Sequence, residues 1–220
     1  MRTIRALMAA VTVVAALPSV STAQDGRQFK DAWFWGVKAG GYSFANPSQS
    51  YTAAPLAGID WLITRTHGGL YVSASEAFFT SQALIANGPT LSDTGVRVID
   101  LKDMRRLDMA AVGFPGEHLR WHPYVGIGFT LSEMAAAIPE GPFTQSNQID
   151  YANSVVDDAK VSFSPMLLLG AQYRLRRVSV FAQGQASPAQ RHFIMYNGRP
   201  FNYTYEIGIR YNAGSSIERD

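Results

Sequence analysis

From Phe201 to Asn212 the chain alternates with a period of two. Tyr203, Tyr205, Ile207, Ile209 and Tyr211 fall on one face of an extended strand, and Asn202, Thr204, Glu206, Gly208 and Arg210 on the other. The same alternation recurs along the chain and predicts eight strands, at 33–44, 54–65, 69–80, 97–113, 120–133, 160–175, 178–187 and 201–212. Several exceed the ~5–6 residues usual in soluble sheets. Most reach the ~9–11 that a tilted membrane strand needs.

The connections alternate too. Strands two and three are joined by Thr66-His67-Gly68, four and five by Pro115 to His118 and their flanks, six and seven by Arg176-Arg177. The other links, 45–53, 81–96, 134–159 and 188–200, are long and rich in Asn, Pro, Gly and Ser. Short turns on one side and long loops on the other are the rhythm of a transmembrane barrel with both termini on the short-turn side. Within the third long loop, Glu133 to Ile138 (EMAAAI) reads as a short helical turn.

The two faces differ in kind. One carries Trp35, Val37, Ile59, Leu107, Ile127, Leu167 and Ile207, with no charge at its centre. The other mixes glycine with a few charges. A water-facing strand surface normally carries many polar side chains, and strand glycine has to be explained by crowding or close approach. An eight-stranded barrel is just wide enough inside for side chains to fill it. The expected arrangement is therefore apolar outside and polar within: an all-β, eight-stranded, antiparallel up-and-down transmembrane β-barrel. Aromatics form two bands. Trp33, Trp35, Trp61, Trp121, Tyr173 and Tyr211 sit near the short-turn ends; Phe44, Phe78, Phe79, Phe129, Phe163, Phe201 and Tyr203 sit near the long loops. Amphipathic rings at headgroup level make such girdles.

Composition adds export. Arg2 and Arg5 precede the apolar run Ala6–Leu17; Pro18 ends it, and Ser21-Thr22-Ala23 offers a cleavage site. Twelve apolar residues fall short of the ~20 of a spanning helix. Residues 1–23 read as a signal peptide, 24–212 as the barrel and 213–220 as a tail. Loss of the two arginines takes the net charge from +2 to zero, which gives no reason to expect nucleic acid. Without cysteine there is neither disulfide nor thiolate site.

The opening "WFWGVKAGGYSF", the fifth-strand "HPYVGIGF" and the final "YTYEIGIRYN" resemble the small bacterial outer-membrane β-barrel family that includes OmpX, the membrane domain of OmpA, and OmpW. The resemblance covers nearly all of the exported chain. It implies an outer-membrane location, lipid as surroundings, and the barrel-assembly machinery as a partner during biogenesis. Such barrels often end on an aromatic of the last strand, whereas here Tyr211 is followed by "NAGSSIERD".

Seven charged residues fall on the polar faces: Lys38, Asp60, Arg106, Asp108, Arg174, Glu206 and Arg210. In a narrow interior they must pair, because unpaired buried charge is heavily penalised. Glu206 with Arg210 or Lys38 is the first expected pair, since strands one and eight close the barrel. The network reads as a plug or, alternatively, as a gated ion path. Enzymatic signals are weak: Ser187 and His192 lack an acyl-transfer motif, and prolines flank His118 and His122, against the helix on which their spacing could bind metal. Asp157-Asp158 lacks a calcium-loop pattern. No cofactor or metal is expected. The functional reading is a non-enzymatic outer-membrane barrel with a filled lumen, serving membrane integrity or surface contact through its outer loops. The alternatives are porin-like or OmpW-like passage of small or hydrophobic solutes, and a secreted soluble lipocalin-like binder.

Overall fold

The computed structural model describes residues 29–45, 51–88, 95–115, 120–196 and 198–216. The proposed signal peptide and its cleavage site, and His118, lie outside them. Eight strands follow in order: β1 (Ala32–Ala45), β2 (Tyr51–Thr64), β3 (Gly68–Ala86), β4 (Val96–Gly113), β5 (Trp121–Pro139), β6 (Val161–Leu175), β7 (Val178–Pro188) and β8 (Phe201–Ser215). One helix, α1 (Ser146–Ala159), stands between β5 and β6. Each strand pairs antiparallel with its chain neighbours, and β1 pairs with β8, closing the barrel.

The registers fix its geometry. From Val37 the rungs run through Ile59, Ala74, Leu107 and Leu131 to Phe163 of β6. In the other direction they run through Ile209 and Val180 to Tyr173 of the same strand. The closed circuit is displaced by ten residues, so strands must tilt steeply, as barrel closure demands. Tilt and alternation together place one face of each strand outside and the other inside. Ile207, Leu167 and Ile127 are 66%, 45% and 69% exposed, while Lys38 and Arg210 are 3% and 0% exposed. The expected apolar exterior and polar interior are what the chain adopts.

Four features depart from the sequence reading. Glu133–Ile138 is strand, not helix: β5 continues to Pro139, paired with β4 as far as Ile99. The helix lies further on and buries Gln148, Ala152 and Val156. Its inward stripe has only three members and begins with a glutamine, so hydrophobic periodicity could not reveal it. β3 runs to Ala86 and, past a bulge between Ala77 and Thr80, pairs with β4 alone. β3, β4 and β5 thus rise above the other strands as a three-stranded crown. That bulge, capped where Asp103 Oδ1 accepts from Phe79 N at 3.1 Å, changes the alternation of faces. Phe79 turns toward the inner cluster, and Phe44, buried by its own alternation, packs against it with tilted rings 4.7 Å apart. Neither belongs to an outer girdle. Finally, β8 extends to Ser215 opposite Ala32, through a bulge at Trp33/Phe34, so part of the expected tail is wall.

Candidate functional site

The lumen is filled in three layers. At the short-turn mouth, Phe34, Leu62, Val112, Tyr124 and Leu168 form an apolar cluster. Phe29, just before β1, enters it and stacks on the His122 ring at 3.7 Å. The segment is pinned by Thr64, whose hydroxyl donates to Phe29 O and accepts from Ala32 N. At the long-loop end a second apolar cluster contains Tyr42, Phe44, Leu56, Leu101, Met104 and Met134. Val156 of α1 and Phe193 of the last long loop cover it. Ile194 N donates to Ala159 O at 2.9 Å, which ties that loop to the end of the helix.

Between these clusters lie six of the seven predicted charges, in one connected network. Lys38 Nζ donates to Glu206 Oε1 at 2.8 Å, Ser73 Oγ at 3.0 Å and Tyr71 Oη at 3.2 Å, and stands 3.8 Å from Asp108 Oδ2. Asp108 accepts from Ser73 Oγ at 3.0 Å and Arg106 Nη2 at 3.1 Å; the same Nη2 reaches Gln185 Oε1 at 3.2 Å. Gln183 Nε2 bonds Glu206 Oε2 at 2.5 Å and Tyr71 Oη at 2.7 Å. Arg210 Nε donates to Asp60 Oδ2 at 2.7 Å, and its two terminal nitrogens donate to Gln172 and Gln183. The guanidinium also lies 3.8 Å from the Phe181 ring centre.

Of the expected closing pairs, Glu206–Lys38 is present, and Arg210 takes Asp60 instead. The register gives the reason. Gly36 of β1 stands opposite both Arg210 of β8 and Asp60 of β2. A Cβ on Gly36 would collide with both side chains. The missing side chain is the passage through which an arginine and a carboxylate two strands apart meet. Arg174 is placed elsewhere, half-buried at the short-turn mouth opposite Ser179. The sequence reading missed Tyr71, Tyr124, Gln172, Gln183 and Gln185 as links of the network. Period two marks them as inward, but their long neutral side chains carry no charge to flag them.

Outside, the predicted lower aromatic set shares one rim. Trp35 stacks on Trp61 at 5.3 Å, Trp33 meets Trp61 edge-on, and Trp121 packs on Tyr173. Tyr211 stands opposite Trp35 in the ladder. Ser187 turns into the barrel whereas His192 is exposed. Among the described residues no group of three or more His, Asp or Glu could hold a metal, and no helix is long and apolar enough to cross a membrane.

Besides the β2–β3 ladder, which stops at Leu56–Ala77, the wall is interrupted at a second outer seam. The β6–β7 ladder ends at Leu167–Ala186. Continued by two residues, that register sets Pro165 opposite Pro188. Arg174 N donates to Arg120 O, so even residues of β6 turn their backbone toward β5 and odd ones toward β7. Ala189 N donates to Pro200 O, so odd residues of β7 turn toward β8 and even ones toward β6. Pro165 and Pro188 therefore face each other where an antiparallel pair would exchange two hydrogen bonds, and neither has an N–H to give. Ser164 Oγ donates to Pro188 O instead, at 3.0 Å.

No family model and no curated protein matches the chain. Among solved structures it is similar to Neisserial surface protein A, at 11% identity over 81% of this chain and 96% of that one, with a TM-score of 0.53. It is also similar to the N-terminal β-barrel domain of Pseudomonas aeruginosa OprF (11% identity, 84% and 99% covered, TM-score 0.45) and to Ail, the attachment invasion locus protein of Yersinia pestis (10% identity, 84% and 99% covered, TM-score 0.46). At such identity the first likeness speaks of fold alone. That fold is the closed eight-stranded barrel of small bacterial outer-membrane proteins.

Proposed function

We propose that this protein is a non-enzymatic outer-membrane barrel whose lumen is shut and whose working surface is the crown and loops above the membrane. The observation that carries the reading is the pairing of an exposed apolar belt with a lumen occupied through its depth by apolar, ionic and apolar layers. The belt matches lipid, where a charge at mid-depth costs ~2–4 kcal/mol. The filled centre leaves the barrel as an anchor. On this reading the long-loop ends are extracellular, the short turns periplasmic, the chain is exported through residues 1–23, and the crown and α1 contact a partner outside the cell. Reconstitution into planar bilayers tests it. Folded, heat-modifiable barrel is expected to insert without producing steady conductance; stepwise ohmic openings, or folded protein that stays soluble without detergent, would overturn the reading.

A second reading is favoured by the seam. Passage of a small hydrophobic solute would use the unladdered stretch between β6 and β7 rather than the blocked axis. An apolar fluorescent probe offered to the detergent-solubilised barrel separates the two. Uptake that disappears when Pro165→Cys and Pro188→Cys are oxidised to a disulfide, and returns on reduction, supports lateral passage. Absence of uptake in both states supports the closed anchor.

A further inference from the structure

The short-turn mouth carries charge that neither the lumen network nor the apolar belt requires. Among the described residues this end holds Lys30, Arg65, Arg120, Arg174, Arg176 and Arg177 against the one carboxylate of Asp31. Asp31 itself lies 3.7 Å from Arg65, which also donates to Ser216 Oγ at 2.9 Å. At the long-loop end carboxylates outnumber basic groups. The excess positive charge is thus confined to one end, and its arginine-rich part to one sector.

That sector is built into the rim. Arg174 N donates to Arg120 O at 2.9 Å and Asn212 N to Arg177 O at 2.8 Å, so the β6–β7 turn and the start of β5 sit together. Arg120 Nη1 lies 3.5 Å from the Tyr173 hydroxyl and Arg177 Nη1 3.5 Å from the Tyr211 hydroxyl. Each exposed guanidinium is therefore held beside a phenol of the aromatic girdle, at the level where rings meet headgroups. Arg176 occupies the turn with φ of 59°, a left-handed conformation in which glycine would be unstrained. A strained arginine at the tip of a two-residue turn keeps a cation where the turn itself favours none. Arginine, rather than lysine, presents a planar fork that matches phosphate oxygens two at a time.

We infer that Arg120, Arg176 and Arg177 form a binding site for the phosphates of anionic phospholipids in the periplasmic leaflet. The inference rests on the proposed lipid-facing role of the belt, and adds a headgroup preference to it. Charge complementarity and continuity with the belt both select a lipid rather than a soluble anion.

All four tryptophans, Trp33, Trp35, Trp61 and Trp121, stand at this rim, so their fluorescence reports the lipid next to it. The mature protein is reconstituted in vesicles of phosphatidylcholine mixed with phosphatidylglycerol, and quenching is compared when one or the other carries brominated chains. Expected is a preference for the anionic lipid of about five-fold or more at low salt, weakened by raising ionic strength. It should fall close to one in the variant Arg120→Gln/Arg176→Gly/Arg177→Gln and persist in Arg191→Gln/Arg199→Gln, which alters the other end. Heat-modifiable migration confirms that each variant is folded. Equal quenching by both lipids in the unaltered protein would overturn the inference while leaving the belt in lipid. So would a preference that survives the triple variant, or one abolished by inorganic phosphate at constant ionic strength. Failure of brominated phosphatidylcholine to quench folded protein at all would instead overturn the lipid-facing reading.

Discussion

Val37 and Lys38 are neighbours in β1 at nearly one height in the wall, yet the first is 49% exposed and the second 3%. The two faces of this wall solve opposite problems. The outer face has to present nothing that needs a partner. The inner face holds three cations and three carboxylates and gives each a counter-charge and neutral bridges. Tolerance to change should therefore invert within a single residue step: apolar substitution is harmless outside and damaging inside, and charge the reverse.

The largest effect is expected at the centre of the network. Lys38→Met leaves Glu206 without its ammonium partner and Asp108 with one fewer, and should cost ~3–5 kcal/mol, read by urea unfolding of the reconstituted barrel. Lys38→Met combined with Glu206→Gln should recover much of that loss, because a neutral pair needs no compensation; a double variant less stable than either single would refute the coupling. Next comes the outer face. Ile207→Lys, at 66% exposure midway along β8, should cost ~2–4 kcal/mol in lipid, and much less in a short-chain detergent through which water reaches the side chain. Gly36→Ala is third. One methyl in the passage between Arg210 and Asp60 forces both aside, for ~1–3 kcal/mol of overpacking, and thermal unfolding should report it. The same change at Gly184, where an added Cβ would meet its nearest atom, Thr204 O, at 3.7 Å, gives a reference within the wall. The smallest effect is a gain: Pro165→Val with Pro188→Val restores two donors to the β6–β7 seam and should add about 1 kcal/mol, with slower amide exchange along β6. No change in exchange would mean that the seam is closed by other means.

Much of this architecture could be read before any coordinates. The strand count, the alternation of long and short links, the orientation of both faces and the aromatic rim follow from period two and turn chemistry. The crown could not be read, because above the apolar belt the contrast between the two faces of the strands fades. Leu84, Val96 and Ile138 are all well exposed there, and no alternation marks where β3 or β5 ends. The α1 helix escaped because only Gln148, Ala152 and Val156 turn inward. Phe79 reads as outward because the Ala77/Thr80 bulge leaves no trace in periodicity.

What the amino-acid order determined alone is local: which residues extend, which face each side chain takes, and that charges share a face with glycine, since these depend only on the pleat. Which charge meets which was decided by closure. Joining β1 to β8 with a ten-residue displacement brings Arg210 onto the rung that Gly36 shares with Asp60. These are residues far apart in the chain whose relation exists only once the ring of hydrogen bonds is complete, because the register of a closed sheet belongs to the whole circuit and to no single strand.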